Sequence, residues 1–579
     1  MQQHADVMIA TRDPRERRRR SRLQPCPQPI ENRLSRPHTP PPTLWRRLLA
    51  SVLACITALS ALATPTLAQA QVRLPALGES ASEDLSIAAE RRIGEQIMRE
   101  GRRDPQYLDD PVLLEDLQQL WNPLVDAARK QGDINPETDQ AFAWEAFLVR
   151  DRSVNAFALP GGYVGVHLGL MALTTTADQL ASVLAHELTH ITQRHIARSI
   201  APQQRASLVA VAALLLGILA ASRSNSIDAA NAAIATGQAA AIQGQLNFSR
   251  DMEREADRLG YAVLGTAGFA TGGMAAMFDK LDVATRLNDN GGFPYLRSHP
   301  LTVDRISEAR NRTLLSGKVA PQPTLLHAAM QARARVLMDD SAQSLQRLNG
   351  GTASPLLADR VGALYAGALS ASLLKDSAKA QTMAADALRL AAGASPREPA
   401  AERVLVLLQA QLQLARGDAA GALQIVDALQ AASPAHGLQR PPMLLRAQAL
   451  LDLQRSNPGR EGQAAALRES TEALQAWVSD NNQDAAAWET LAATSEALNL
   501  RLRGLRAAAE ARAVLGDLTG AIDRLRAAQQ SSRGATGQDF IEGSVIDARL
   551  RQLVAQRRQW QLEAREARGG RGPEDPLPQ

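Results

Sequence analysis

Two histidines and a glutamate in one short segment are the residues of this chain best suited to chemistry. Residues 186–190 read H-E-L-T-H, with His186 and His190 four positions apart and Glu187 beside the first histidine. The segment has a helical pattern, and side chains at i and i+4 of a helix share a face, so both imidazoles can bind one metal ion. Glu187 can reach a water molecule at that metal. This arrangement is typical of a zinc hydrolase and predicts a metalloprotease.

A hydrolytic zinc usually has three protein ligands and one open position, so a third ligand is needed elsewhere in the chain. Glu253 and Asp257 are four residues apart and share one face of a predicted helix. Glu253 can therefore bind the metal, and Asp257 can accept an N–H from a ligand histidine and fix its tautomer. Taken alone, such an acidic stretch is most often a solvated helix surface, and its position 63 residues after His190 favours the ligand role when the first motif is present. Glu255 is expected to face solvent. His195 is not expected to be a ligand, because it lies on a different helix face from His190.

The elements that must position these residues follow from the local sequence pattern. Helical patterns run from about 86 to 131. Two strands are predicted at Ala143–Val149 and Ala156–Val166, and the second contains a tight turn or bulge at residues 160–162. The helix that carries the two histidines is expected to begin near Thr175, at a capping box. The composition, rich in Ala and Leu with 3% aromatic residues, favours a mainly α protein.

The N-terminal segment has the pattern of a secretion signal. Arg46 and Arg47 precede an uncharged apolar stretch at Leu48–Leu62, and small residues at Ala68 and Ala70 mark a cleavage site. We therefore predict an N-terminal extension and signal peptide that together end at residue 70.

Charge and cysteine content narrow the classes of function. Residues 1–47 carry a net charge of +7, residues 48–70 carry none, and the whole chain carries +4. The chain from residue 71 onward therefore carries a net charge of −3. A nucleic-acid-binding function is therefore not expected, because the basic charge lies in the segment predicted to be removed. Cys26 and Cys55 both precede the cleavage site, so the mature chain would form no disulfide. Lipid attachment at Cys55 is the less favoured alternative.

The second half of the chain changes in character. From about residue 325, predicted helices of 12–16 residues alternate with short breaks, and two Gly-Asp pairs begin at Gly417 and Gly516. These pairs lie 99 residues apart, about three times the roughly 34-residue tetratricopeptide period. We predict a metalloprotease domain over residues 71–322, TPR-like helical repeats over 323–566 and a disordered tail over 567–579. A plain helical bundle is the alternative to repeats.

One apolar segment allows two interpretations. Leu208–Ala221 is a run of 14 uncharged residues. As a helix it would span roughly 21 Å, which is short of the ~30 Å hydrocarbon core of a membrane. It is interpreted first as a buried helix, and otherwise as a surface helix or lid that contacts a membrane or covers the active site.

Four motifs together resemble peptidase family M48, the gluzincins of the HtpX and CAAX-prenyl-protease type. The order and spacing of the motifs agree with that family throughout the protease part. The motifs are H-E-L-T-H at 186–190, F-S-R-x-x-E-x-E-A-D at 248–257, V-N-A-F at 154–157 followed by P-G-G at 160–162, and L-R-S-H-P at 296–300 followed by Arg305. The resemblance implies a zincin-type α+β protease domain with a small sheet, and one zinc ion per chain on His186, His190 and Glu253, with Glu187 catalytic. Prenyl-protease activity is not expected, because this chain lacks the several spanning helices of the intramembrane members.

Three further features of the site have expected roles. The strand after Asn155, with Ala156 and Phe157, is expected to pair with an extended substrate by strand addition. The resemblance implies that His299 is a regulatory fourth ligand, which would displace the water and close the site. A simple hydrogen-bonding histidine is the alternative. Arg305 is expected either to stabilise the oxyanion of the reaction or to brace its loop.

The leading hypothesis is a periplasmic zinc endopeptidase in outer-membrane protein assembly and quality control. The resemblance implies that it degrades unfolded or misassembled outer-membrane proteins and that the repeats bind the assembly machinery. The alternative is a chaperone or adaptor that acts through its repeats while the protease stays latent. A membrane-embedded protease, or peripheral membrane contact, is a third hypothesis and depends on the apolar segment described above.

Overall fold

The computed structural model describes residues 85–199, 249–287, 293–316, 320–350, 354–432, 439–459, 462–532 and 537–567. The predicted signal peptide, the apolar segment Leu208–Ala221 and residues 568–579 lie outside the described residues. All the described residues belong to one compact unit.

The described part is mostly helical and contains one small sheet, which confirms the predicted fold class. The elements of the first part are α1 (Ile87–Gly101), β1 (Tyr107–Leu108), α2 (Pro111–Gln131), α3 (Pro136–Ala141), β2 (Glu145–Val149), β3 (Ala156–Leu159), β4 (Tyr163–His167), α4 (Leu168–Leu173), α5 (Ala177–Thr192), α6 (His195–Ser199), α7 (Arg250–Thr266), α8 (Gly272–Leu287), α9 (Tyr295–Ser298) and α10 (Val303–Ser316).

The second part is a succession of helices in which each packs mainly on its neighbours in the chain. They are α11 (Leu325–Leu337), α12 (Ala342–Leu348), α13 (Leu357–Leu373), α14 (Ser377–Ala392), α15 (Pro399–Ala415), α16 (Ala419–Ala432), α17 (Arg440–Ser456), α18 (Gln463–Asp480), α19 (Ala485–Ala497), α20 (Arg501–Val514), α21 (Leu518–Ser531) and α22 (Gln538–Ala567).

The sheet has the strand order β1-β2-β4-β3. Strand β2 pairs parallel to β4, and β3 pairs antiparallel to β4, so β3 is an edge strand. The second predicted strand is divided at residues 160–162, where a turn separates β3 from β4. Gly161 and Gly162 have φ angles of 79° and 89°, which glycine adopts without steric cost. A Cβ on Gly162 would lie 2.9 Å from the backbone nitrogen of Trp144, so this turn also requires glycine for close packing.

Helix α5, which carries the H-E-L-T-H segment, begins one residue later than the sequence predicted. Its N-cap is Thr176, whose side chain accepts a hydrogen bond from Gln179 N. The Gln179 side chain in turn accepts a hydrogen bond from Thr175 N at 2.8 Å. Asp178, the predicted partner in the capping box, instead accepts a hydrogen bond from Ala270 N and ties the start of α8 to α5.

One hydrophobic core runs from the first part of the chain into helices α11 to α15, and buried side chains of α17 to α22 form separate clusters. Leu184 on the active-site helix and Leu405 on α15 belong to the same cluster of buried side chains. The two predicted Gly-Asp turns are observed, because Asp418 and Asp517 each accept a hydrogen bond from the backbone N–H three residues ahead, at 2.9 Å. The boundary predicted at residue 322 and the repeat class remain predictions.

Arginines from three helices of the second part bind acidic residues at the start of α2. Arg333 on α11 makes two 2.7 Å bonds to Asp110, the N-cap of α2. Arg403 on α15 lies 2.6 Å from Glu115, and Arg440 on α17 lies 2.7 Å from Asp109. These ion pairs fix the helical part against the helix that packs behind α5.

Within the described ranges, no helix combines the length and the apolar character needed to cross a bilayer.

Candidate metal centre

Helices α5 and α7 bring the predicted ligands together. His186, Glu187 and His190 lie on α5 and Glu253 lies on α7, and all four side chains are buried. The two helices approach closely at Gly260, where a Cβ would lie 3.1 Å from the carbonyl oxygen of Ala185. This close approach lets the acidic side chains of α7 reach the imidazoles of α5.

The three predicted ligands have the spacing of a metal site. His186 Nε2 lies 3.0 Å from His190 Nε2 and 3.4 Å from Glu253 Oε2. His190 Nε2 lies 3.5 Å from Glu253 Oε1. Ligand atoms at about 2.0–2.2 Å from a tetrahedral zinc are roughly 3.3 Å apart, so these donors fit one such ion without large rearrangement.

His299 joins this group as a fourth donor. One ligand atom from each of His186, His190, Glu253 and His299 lies within 4.8 Å of the others. His299 Nδ1 is 2.9 Å from Glu253 Oε1 and 3.4 Å from His186 Nε2. The histidine that the sequence placed in a distant loop therefore lies where a fourth ligand would be.

Glu187 is held between the edge strand and the metal centre. Its Oε2 accepts a hydrogen bond from Ala158 N on β3 at 3.0 Å. Its Oε1 is buried and has no hydrogen-bond partner among the described residues, with His299 Nε2 at 3.6 Å. Burial raises the pKa of Glu187 above its ordinary value, which favours proton uptake at this carboxylate.

Asp257 and Arg305 form a second layer behind the ligands. His186 Nδ1 lies 3.0 Å from Asp257 Oδ1, a contact that would let this carboxylate orient a ligand histidine. Arg305 donates from Nε and Nη2 to Asp257, at 2.7 and 2.8 Å, and its Nη1 lies 2.8 Å from Glu253 Oε2. Burial alone would raise the pKa of Asp257, but hydrogen bonds from Arg305 and His186 hold it below its usual value.

The predicted substrate strand lies beside Glu187. Asn155 precedes β3 and its carbonyl accepts a hydrogen bond from His167 N, so the ladder with β4 uses Asn155, Phe157 and Leu159. The backbone groups of Ala156 and Ala158 therefore face the free edge. This edge borders α5, because Ala158 N reaches Glu187.

Two residues near the centre were missed by the sequence reasoning. Glu255, which was expected to face solvent, is only 12% exposed at its side chain and lies 3.0 Å from His195 Nε2. His195 Nδ1 lies 2.8 Å from His190 Nδ1. The chain turns at Arg194, which has a φ of 52°, so His195 is not on a continuation of α5. Two features of the sequence could have indicated these residues. They are the third histidine shortly after the pair and the acidic residue between Glu253 and Asp257.

The chain is similar to known peptidases. The model of peptidase family M48 matches residues 115–313. The beta-barrel assembly-enhancing protease of Escherichia coli strain K12 is 30% identical over 527 residues, which cover 88% of this chain and 96% of that protein. The protein of the same name from Yersinia pestis is 34% identical over 323 residues, covering 54% of this chain and 63% of that protein.

A eukaryotic protein matches a shorter region. The mitochondrial metalloendopeptidase OMA1 of Schizosaccharomyces pombe is 32% identical over 174 residues, covering 28% of this chain and 44% of that protein.

Proposed function

The chain belongs to peptidase family M48 and is a metalloprotease, and from this premise we propose that it is a periplasmic zinc endopeptidase. We propose further that it acts in outer-membrane protein assembly and quality control and degrades misassembled clients. The observation that carries the proposal is the convergence of His186, His190 and Glu253 beside the buried carboxylate of Glu187. The name of the E. coli relative supports the link to assembly. The secretion-signal pattern at residues 1–70 supports the location.

His186, His190 and Glu253 would hold the metal, and two imidazoles with one carboxylate suit zinc. The bound ion supplies Lewis acidity that lowers the pKa of a water molecule and polarises the scissile carbonyl. Asp257 accepts a hydrogen bond from Nδ1–H of His186, which leaves the lone pair of Nε2 available to bind the metal.

Glu187 is the proposed general base. Because Ala158 N binds Oε2, the carboxylate is held with Oε1 free to take a proton from the attacking water. Glu187 then delivers this proton to the leaving amine. Burial raises the pKa of Glu187 above its ordinary value, which favours uptake of the proton by this carboxylate.

The free edge of β3 is the proposed substrate-binding strand. An extended substrate would pair with the backbone N–H and carbonyl of Ala156 and with the carbonyl of Ala158, whose N–H is bound to Glu187. This pairing would place the peptide groups of the substrate next to Glu187. The substrate would thus bind mainly to the backbone, rather than to the side chains, of Asn155, Ala156 and Phe157. Recognition of backbone suits unfolded or stalled clients.

His299 is the proposed regulatory ligand. Its position against Glu253 and His186 supports a closed state in which a fourth protein donor replaces the water. Of the two roles considered for Arg305, the brace is favoured, because its guanidinium is committed to Asp257, Glu253 and the carbonyl of Pro300.

The second candidate function is a chaperone or adaptor with a latent protease. Two observations favour it: the closed arrangement of His299, and the long helical part that would bind the assembly machinery. A complete catalytic set argues for hydrolysis, because a scaffold has no need of a general base.

A single variant tests the proposal and separates the two candidates. Glu187→Gln is expected to keep one zinc per chain and the fold but to lower casein cleavage by at least about a hundredfold. The exposed Glu308→Gln on α10 is the matched control and should cleave normally. Unchanged cleavage by Glu187→Gln would show that another group is the base. If Glu187→Gln restored barrel assembly in cells that lack the protein, the chaperone function would dominate.

A further inference from the structure

A chain of three side chains leads away from the metal centre on the side opposite the substrate strand. His190 Nδ1 lies 2.8 Å from His195 Nδ1, and His195 Nε2 lies 3.0 Å from Glu255 Oε2. Arg198 Nη1 lies 3.1 Å from the same carboxylate oxygen. His195 is fully buried, so no water competes for its ring nitrogens from bulk solvent.

The contacts fix where the protons must be. His190 Nε2 faces the other ligand atoms, so it must present a lone pair to a metal, and the proton of this neutral ring must then be on Nδ1. The nearest acceptor for that proton is His195 Nδ1, which leaves the proton of His195 on Nε2. His195 Nε2–H then donates to the carboxylate of Glu255. One assignment of protons satisfies every contact in the chain.

We propose that His195 and Glu255 are positioning residues that fix the tautomer and ring orientation of the zinc ligand His190. The inference rests on the proposed function, since it requires His190 to bind zinc. It assigns roles to two residues that touch neither metal nor substrate.

The geometry of α7 explains why a second histidine is needed. Glu253 and Asp257 share one face of α7, and both contact His186 directly, at 3.4 Å from its Nε2 and 3.0 Å from its Nδ1. Glu255 is two residues from each and points to a different side of the helix. His195 spans the remaining distance from Glu255 to His190, so α7 supplies an acceptor behind each of the two ligand histidines.

The turn after α5 places His195 for this role. Arg194 has a left-handed backbone conformation with a φ of 52°, and its Nε donates to Glu90 on α1 at 3.2 Å. This buried ion pair connects the turn to α1, and α6 begins directly after the turn, at His195. Ser199 on the next turn of α6 donates to the carbonyl of His195 at 2.7 Å.

The zinc dissociation constant of the purified mature protein, measured by competition with a chelator, tests the proposal. His195→Leu is expected to weaken zinc binding by about 10- to 100-fold, the usual effect of losing a partner of a ligand histidine. Glu255→Ala should weaken it by about threefold to tenfold. His195→Gln should stay within about threefold of wild type, because an amide can accept from His190 and donate to Glu255.

The matched control is His327→Leu. His327 is also a buried histidine. It lies on α11 in the second part of the chain, and its ring contacts Thr174 rather than the candidate metal ligands. It should lose stability with no change in zinc affinity, which separates a packing defect from a positioning role.

The outcomes are distinct. Absence of zinc from the wild-type protein would sink the proposed function itself. Zinc binding by wild type together with equal affinity in His195→Leu and Glu255→Ala would overturn only the positioning role. If His195→Leu does not fold, Glu255→Ala decides: an affinity equal to wild type overturns the proposal, and a weakened one supports it.

Discussion

At the scale of single residues, Arg305 is the cation on which two buried carboxylates depend. It binds Asp257 with two donors and also contacts Glu253, and it is buried itself. Removal of one partner from a buried ion pair leaves an uncompensated charge, which typically costs about 3–5 kcal/mol.

Arg305→Ala should therefore lower the free energy of unfolding of the metal-free protein by about 3–5 kcal/mol, measured by urea denaturation. Arg310→Ala, which removes an exposed pair with Asp279, is the control and should cost less than about 1 kcal/mol. Unchanged stability combined with lost cleavage would favour the oxyanion role for Arg305 instead.

Asp116 on α2 gives a pH prediction at the same scale. Burial, with a smaller contribution from Glu115, raises the pKa of Asp116 to about 7, and its Oδ2 has no hydrogen-bond partner in the described part of the chain. The unfolded chain ionises this group near pH 4, whereas the folded protein resists ionisation. Its contribution to stability is therefore full below about pH 4 and is lost as the pH rises through about 7.

Asp116→Asn should remove this dependence. Between pH 5 and pH 8 we expect wild type to lose on the order of 2 kcal/mol of unfolding free energy that the variant keeps. Denaturation curves of both proteins at the two pH values measure the difference. Parallel pH profiles for wild type and Asp116→Asn would contradict the assignment.

At the scale of elements, the loop that carries His299 is anchored to the start of the substrate strand. Helix α9 begins at Tyr295, whose N–H donates to the carbonyl of Val154 just before β3, at 3.3 Å. His299 N donates to Tyr295 O at 2.8 Å, and the ring centroids of His299 and Tyr295 lie 4.7 Å apart. The proposed latch and the proposed substrate strand are thus joined by one backbone contact.

His299→Ala should raise proteolysis and self-cleavage, because it frees the fourth position at the metal. Ser298→Ala, which removes only a hydrogen bond to Tyr295 O within the same loop, should leave the rate near that of wild type. Rates on casein and the appearance of self-cleaved fragments measure the effect. Equal or lower activity of His299→Ala with zinc still bound would end the latch hypothesis.

The helices and the turn that carry the candidate site show what the sequence could predict and what it could not. The shared face of His186 and His190, and that of Glu253 and Asp257, were predictable, because i, i+4 spacing encodes a helix face. That the second pair would meet the first was implied by the family resemblance, because spacing within one helix does not encode contacts between helices. The role of His195 was not predictable, because it depends on the turn at Arg194, a residue that carries no signal for a left-handed conformation.

At the scale of the whole molecule, the arginine pairs along α2 couple the helical part to the protease part. Arg333 is the most buried of them and contacts Asp110, Tyr365 and Gln411. Because one core also joins the protease part to helices α11 to α15, we expect calorimetry to show that these elements unfold in a single cooperative transition.

Arg333→Met should lower the midpoint of that transition and reduce stability by about 3–5 kcal/mol, since Asp110 would remain buried without its cation. Arg446→Met, whose partners Asp427 and Glu469 are exposed, is the control and should have a small effect. Two separate transitions in wild type would contradict the shared core.

The organisation of the chain was predictable in outline and less so in detail. Helix content and the Gly-Asp turns at Gly417 and Gly516 follow from local composition and are observed. The pairing of Arg333 with Asp110 joins residues 223 positions apart, and no local pattern encodes such a contact. Long-range ion pairs of this kind become visible only once the packing of α11 on α2 is known.

The central claim is that His186, His190 and Glu253 hold one zinc ion beside Glu187. Anomalous diffraction at the zinc edge, from crystals of the mature protein, measures this most directly. The expected result is one peak per chain at about 2 Å from Nε2 of both histidines and from the carboxylate of Glu253. A map with no peak between these three side chains, or with the metal held by other residues, would contradict the account.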